Sequence, residues 1–435
     1  MTGLAYTLGV VLFALGVLVS IALHEVGHML PAKRFGVKVS QYFVGFGRTL
    51  WSVKRGETEY GIKAIPLGGY VRLVGMFPPA KDQPEGTVRQ STTGLFTALI
   101  ADARAAEYES VKPGDENRLF YRKPWWQKLI IMSGGPLVNV ILAVVILGGV
   151  FMGFGIYEPK TVIAQVSDCV IPAADAGRTC KPSDPVSPAK LAGLRSGDRI
   201  VSFNGQNITS WDQVTTLIRA NGNDAATLVY KRDGVYHAVQ TSTTVSQRRD
   251  LNDPSKLVEV GFFGVSPVEV RERQGPGYVA ATMWDYTEKT AGVLVHMPAK
   301  MVGVFQAAFG GQARDAQSPM SVVGASRVAG ELATTHQLSV SDRIASVLGL
   351  LGVVNLFVAL FNFIPLLPLD GGHIAGALYE AARRGIARMR GRPDPGFVDV
   401  AKLLPVAYVA ATVIIVMGVL LVYADLVNPV KLPPG

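Results

Sequence analysis

Charge is what this 435-residue chain has least of: 17% of its residues are Asp, Glu, Lys or Arg, against about 25% in an ordinary soluble protein. With 49% hydrophobic residues gathered in blocks, that shortfall excludes a soluble single-domain protein and points to a membrane. Cysteine is nearly absent. Two residues, Cys169 and Cys180, exclude a disulfide-rich scaffold and any zinc site built from four cysteines. No Lys or Arg precedes Lys33, so the positive n-region of a cleaved secretory signal is missing and the first apolar block reads as retained. Internal repeats are missing too, which argues against a transporter, a class often built from inverted repeats.

Four apolar runs approach or exceed the roughly 20 residues that a membrane-spanning helix needs: 1–30, 129–157, 347–371 and 403–426. The net charge of +9 is localised. Residues 31–124 hold 15 Lys+Arg against 9 Asp+Glu and residues 371–403 hold 6 against 3, whereas residues 158–345 are balanced at 19 against 18. By the positive-inside rule the two basic loops face the cytoplasm, leaving both termini and the long middle segment outside. The charge is therefore a topology signal and calls for no nucleic acid.

Within 31–128, the stretch Val37 to Met76 alternates β-branched and aromatic runs with glycine-containing turns, which is strand and hairpin chemistry. A polar insert, 78–121, follows, with a short helix expected around Leu95 to Glu109. Residues 161–265 read as a small α/β domain. Its run Ser187 to Gly205 gives a short helix, a strand at Arg199 to Phe203 and a tight turn at Asn204-Gly205. That run resembles a PDZ domain of the bacterial protease-associated kind, and PDZ domains capture extended segments by adding a strand to a sheet edge. Cys169 and Cys180 lie in this domain, either paired across an oxidising compartment or as two free thiols. The segment 277–345 reads as juxtamembrane and helical, with Tyr278, Trp284 and Phe305 on either an interfacial helix or one packed on the outer domain. A cytoplasmic loop at 372–402 and a tail at 427–435 complete the chain.

Two of the apolar runs carry ionisable groups, which are costly in a bilayer and mark function by default. His24-Glu25-Val26-Gly27-His28 is an H-E-x-x-H motif. On a helix its histidines, at i and i+4, share one face and can share a metal, with the glutamate beside the bound water. A catalytic zinc takes three protein ligands and keeps a fourth position open. Asp370, at the inner end of the third run, lies at the depth of His24 and His28 and is the preferred third ligand. His373 is the alternative.

These motifs together resemble the site-2 protease family of intramembrane zinc metalloproteases, in its bacterial PDZ-containing branch. The H-E-x-x-H is matched by His24, Glu25 and His28, a G-x-x-x-N element by Gly135 and Asn139, and the distal N-x-x-P and L-D-G by Asn362, Pro365, Leu369, Asp370 and Gly371. Gly45-Phe46-Gly47 and Pro66-Leu67-Gly68-Gly69-Tyr70 are similar to the family's re-entrant β element. One departure is Leu367-Pro368, where some members have a second proline two residues after the one at Pro365. The resemblance implies a polytopic α-helical membrane protein with four transmembrane helices, a membrane-associated β-rich loop and an extracytoplasmic α/β PDZ-like domain. It also implies a Zn2+ cofactor, Glu25 as catalytic acid and base, and substrate contacts at Asn139, Asn362, Gly68 and Gly69. The expected partners are the lipid bilayer and single-pass membrane proteins, such as an anti-sigma factor or a remnant signal peptide, and the expected location is the bacterial inner membrane. A silent membrane scaffold would need no glutamate beside its histidines.

Overall fold

An unbroken series of Leu, Val and Ala gives Thr2–Arg34 its helix, α1, which closes with Lys33 and Arg34 in its last turn, where cations suit the helix dipole. One stripe of α1, including Phe13, Val17, Met29 and Ala32, is buried, while Leu4, Leu8, Leu12 and Leu15 stand exposed, as they would toward lipid. This computed structural model describes residues 2–78, 111, 113–175, 177–251, 256–312, 314–315, 318–335 and 338–430, apart from the side chains of Thr2 and Leu67. The helix expected around Leu95 to Glu109 lies outside the described residues.

The chain divides into two units, 1–154 with 275–435, and 155–274. Among the described residues the first holds four helical segments long and apolar enough to cross a membrane, Gly3–Arg34, Trp125–Phe154, Val340–Asn362 and Val400–Val427, or five if the bent pair Pro276–Val295 and Met297–Phe309 is one span. We label its later helices α2 (Trp125–Gly148), α5 (Pro276–Val295), α6 (Met297–Phe309), α7 (Val322–Thr334), α8 (Val340–Asn362), α9 (Asp370–Met389) and α10 (Leu404–Val427). α2 is central, packing on α1, α8 and α9. It meets α1 backbone to backbone. A Cβ on Gly27 would lie 2.4 Å from the Gly134 carbonyl oxygen, and one on Gly134 would lie 2.0 Å from that of Gly27.

Two features differ from the sequence-based expectation. The third apolar run is not one span to 371: its helix stops at Asn362, residues 363–369 turn, and α9 begins at Asp370. Pro365 and Pro368 cannot donate the backbone hydrogen bonds that would continue the helix. The expected loop 372–402 is therefore helical through Met389. The juxtamembrane segment falls in the first unit. It forms α5 and α6, bent by 70° to each other, then α7, whose Ala325 and Ala329 are buried against Phe13 and Val17 of α1.

Between α1 and α2 run two long strands, β1 (Val39–Arg55) and β2 (Thr58–Leu73). Each bends, so they form four sheet segments. Residues 39–44 pair with 69–73 on one side and with 59–62 on the other, and 51–55 pair with 58–62. Gly45 and Gly47, at φ of +93° and +84°, make the bend that a residue with a Cβ resists. Residues 69–73 form an outer segment whose second edge has no strand partner among the described residues.

In the second unit, strands β3 (Ile156–Val166), β4 (Arg199–Phe203), β6 (Ala225–Arg232), β7 (Val235–Ser242) and β10 (Val265–Glu272) form a sheet in the order β10-β3-β4-β6-β7, with β5 (Gln206–Asn207) paired to β4. β8 (Thr244–Arg249) and β9 (Leu257–Phe262) form a separate pair. Two helices accompany the sheet, α3 (Pro188–Leu191) and α4 (Trp211–Ala220). Phe203, Val214, Leu228 and Phe263 fill the core. Asp198, 1% exposed, accepts from Arg232 Nε at 2.7 Å and from the Arg195 N–H at 2.8 Å. Cys169 and Cys180 are joined in a disulfide.

Candidate metal centre

The helical repeat puts His24 and His28 on one face of α1, and that face looks onto Gly135 of α2. A Cβ there would lie 2.2 Å from His28 Nε2 and 2.7 Å from His24 Nε2, so only glycine leaves both rings their room. Asp370 reaches them as the first residue of α9. Its helix start is held close to the preceding turn, since a Cβ on Gly371 would come within 2.1 Å of the Ile364 carbonyl oxygen.

The three groups converge on a triangle. His24 Nε2 and His28 Nε2 are 3.2 Å apart, and each is 3.3 Å from Asp370 Oδ2. Ligand atoms about 2.0–2.1 Å from a tetrahedral zinc are separated by about 3.3–3.4 Å, so the triangle has the edge length of such a site. The hydrogen bonding has the matching sense. The His28 Nδ1–H donates to the Ile131 carbonyl oxygen at 2.8 Å, which leaves Nε2 with a lone pair. In the neutral ring that lone pair faces a carboxylate oxygen, an arrangement of acceptors in a buried site that suits a metal cation. Asp370 Oδ2 and His24 Nδ1 are buried without a hydrogen-bond partner among the described residues. The donor set, two imidazoles and one carboxylate, is that of a three-ligand zinc site.

All eight residues singled out from the sequence line one cavity of about 540 Å³ in the first unit: His24, Glu25, His28, Gly68, Gly69, Asn139, Asn362 and Asp370. His373 lines it too but stands outside the His24, His28 and Asp370 cluster. Glu25 sits beside the outer sheet segment, where a Cβ on Gly69 would lie 3.1 Å from its Cγ. Asn139 is 2% exposed and its Oδ1 has no hydrogen-bond partner among the described residues. It therefore offers a buried acceptor to whatever enters.

Sequence reasoning missed Ser20 and Asn355, both on the cavity wall. The Asn355 Nδ2–H donates to Ser20 Oγ at 3.1 Å and to the Leu351 carbonyl oxygen at 2.9 Å, tying α8 to α1. The signal was present: an amide inside an apolar span is as conspicuous as the carboxylate that was noticed.

A family description for peptidase family M50 matches residues 12–394. The chain is similar to zinc metalloprotease Rip1 of Mycobacterium tuberculosis, 34% identical over 438 residues that cover 98% of this chain and 99% of that one. It is also similar to metalloprotease MmpA of Caulobacter vibrioides, 27% identical over 88% of this chain and 89% of the relative. Regulator of sigma-W protease RasP of Bacillus subtilis is 24% identical over 83% of this chain and 87% of its own.

Proposed function

This chain belongs to peptidase family M50, and from that premise we propose that it is a zinc-dependent endopeptidase cutting peptide bonds within the transmembrane segments of other proteins. The observation that carries this reading is the triangle of His24, His28 and Asp370 in one cavity with Glu25 and with a strand that has no second strand partner among the described residues. His24, His28 and Asp370 hold the metal. Zinc, when bound, supplies Lewis acidity toward water and the scissile carbonyl. Glu25 takes a proton from the attacking water and returns it to the leaving amine.

A substrate helix hides its carbonyls in its own hydrogen bonds, and its unwound form needs replacement partners in an apolar setting. The outer edge of residues 69–73, which has no strand partner among the described residues, supplies them by strand addition, entered at Gly68 and Gly69. Asn139 and Asn362 add side-chain contacts to the extended backbone. We assign the protein to the bacterial inner membrane as a multi-pass protein, with the metal near the cytoplasmic side and residues 161–265 outside as a PDZ-like domain. Its substrates are single-pass proteins, such as an anti-sigma factor or a remnant signal peptide, trimmed first on the outside. The outer domain admits them by size or by capturing the new C-terminus. The test is Glu25→Gln: in purified protein it retains zinc and loses cleavage of a tagged membrane-spanning peptide by about 100-fold or more. Normal cleavage by this variant sinks the assignment.

A further inference from the structure

The proposed function leaves a second cavity of the first unit unused. A groove of about 630 Å³ lies between Trp125 and Trp126, at the start of α2, and the later part of α9 with the chain after it. Arg384 and Arg388, one helical turn apart on α9, line it with Arg392. Arg384 is engaged, pairing with Glu380 at 3.3 Å and Asp394 at 3.4 Å. Glu380 in turn is buried against Lys128 at 2.7 Å. The guanidinium groups of Arg388 and Arg392 have neither a hydrogen bond nor an ion pair among the described residues. Asp394, the groove's single carboxylate, is already turned to Arg384. The groove therefore presents uncompensated positive charge.

Its setting identifies the anion. Two indoles at the end of a membrane-crossing helix mark the depth of lipid headgroups. Free guanidinium groups beside two indoles at that depth match a molecule that is anionic at one end and apolar at the other. We infer that the groove holds the headgroup of an anionic phospholipid. Arg388 and Arg392 donate to the phosphodiester oxygens, and Trp125 and Trp126 lie along the glycerol region. Because α9 begins at Asp370, the same headgroup anchors the helix that carries a proposed metal ligand.

The experiment uses the full chain released from vesicles of phosphatidylcholine and phosphatidylglycerol, with retained lipid read by native mass spectrometry. Wild type retains phosphatidylglycerol in preference to phosphatidylcholine. Each arginine removed lowers that preference about fivefold, so Arg388→Gln/Arg392→Gln loses it about 25-fold, whereas the charge-keeping Arg388→Lys/Arg392→Lys restores most of it. Unchanged zinc content shows that each variant is folded. Equal retention by wild type and the double glutamine variant overturns the inference. Displacement of the retained lipid by millimolar inorganic phosphate also overturns it, because the groove would then be a phosphate site indifferent to the lipid tail.

Discussion

Adding one methyl group at Gly135 tests the metal centre more sharply than removing a ligand does. An alanine Cβ there would sit 2.2 Å from His28 Nε2, 2.7 Å from His24 Nε2 and 2.8 Å from His24 Cε1, whereas unstrained contact begins at about 3.5 Å. The rings must retreat by about 1 Å, a large fraction of the 3.2–3.3 Å edges of the ligand triangle. Retreat also strains the hydrogen bond from His28 Nδ1 to Ile131, worth about 1 kcal/mol. Disturbing the support of a ligating histidine lowers metal affinity by about 10- to 100-fold, and a misplacement of about 1 Å lowers turnover by about 100-fold. The fold survives, because Gly→Ala in a helix interior is favourable by up to about 1 kcal/mol and the displaced atoms are side-chain ends. Gly134→Ala makes the contrast. Its Cβ meets a backbone oxygen at 2.0 Å, so it separates α1 from α2 and destabilises the whole unit. The assay is zinc content by mass spectrometry beside melting temperature and cleavage of a tagged membrane-spanning peptide. Gly135→Ala protein with full zinc and full activity would refute the placement of the metal between these rings.

Asp370→Asn lowers zinc content and cleavage together, whereas His373→Ala retains zinc; the reverse pattern moves the third ligand to His373. In the second unit, burial raises the Asp198 pKa, but Arg232 and the Arg195 N–H outweigh it and hold the carboxyl below its ordinary 3.8. The stability from this pair is therefore present above about pH 4 and is lost as pH falls through the lower folded-state value. Fluorine NMR of labelled Trp211 should show the unit melting earlier in acid, and Asp198→Asn should melt earlier at neutral pH with a shallower acid dependence; identical curves refute the argument. Thiol labelling from outside should reach single cysteines placed in 161–265 but none in 371–403, and the opposite labelling reverses the proposed orientation. Replacing 161–265 by a flexible linker releases cleavage of untrimmed substrate if the domain filters by size, and weakens cleavage of trimmed substrate if it captures a C-terminus. If neither rate changes, the domain does not control access.

What could be read from the chain alone was local or periodic. The i, i+4 histidines, the hairpin glycines and the apolar lengths of the candidate spans are written within one or two helical turns or strand lengths. The end of the third helix was obscured because Phe363 to Leu369 continues the apolar run through a turn; Pro365 and Pro368 were the only cue. The packing of α7 on α1 was hidden for a different reason. Its burial against α1 depends on Ala325 and Ala329 and on Gly330, where a Cβ would press against Tyr6 at 2.8 Å, and small residues leave little signal in hydropathy. The Gly27–Gly134 contact joins residues far apart in sequence, so no window across the chain could have found it. Asn355 was visible as an amide in an apolar run, but its pairing with Ser20 requires the packing to be known.

The metal triangle draws one corner from the far end of the molecule, and this has a consequence for the order in which the protein is made. His24 and His28 leave the ribosome early, whereas Asp370 follows about 340 residues later, an interval of roughly 20 to 70 s at ordinary rates of bacterial synthesis. Throughout that interval the growing chain has both imidazoles and Glu25 but lacks the carboxylate that closes the site. If the proposed ligand set is right, a half-made copy lying among newly inserted membrane proteins has no complete cutting centre until α9 has formed.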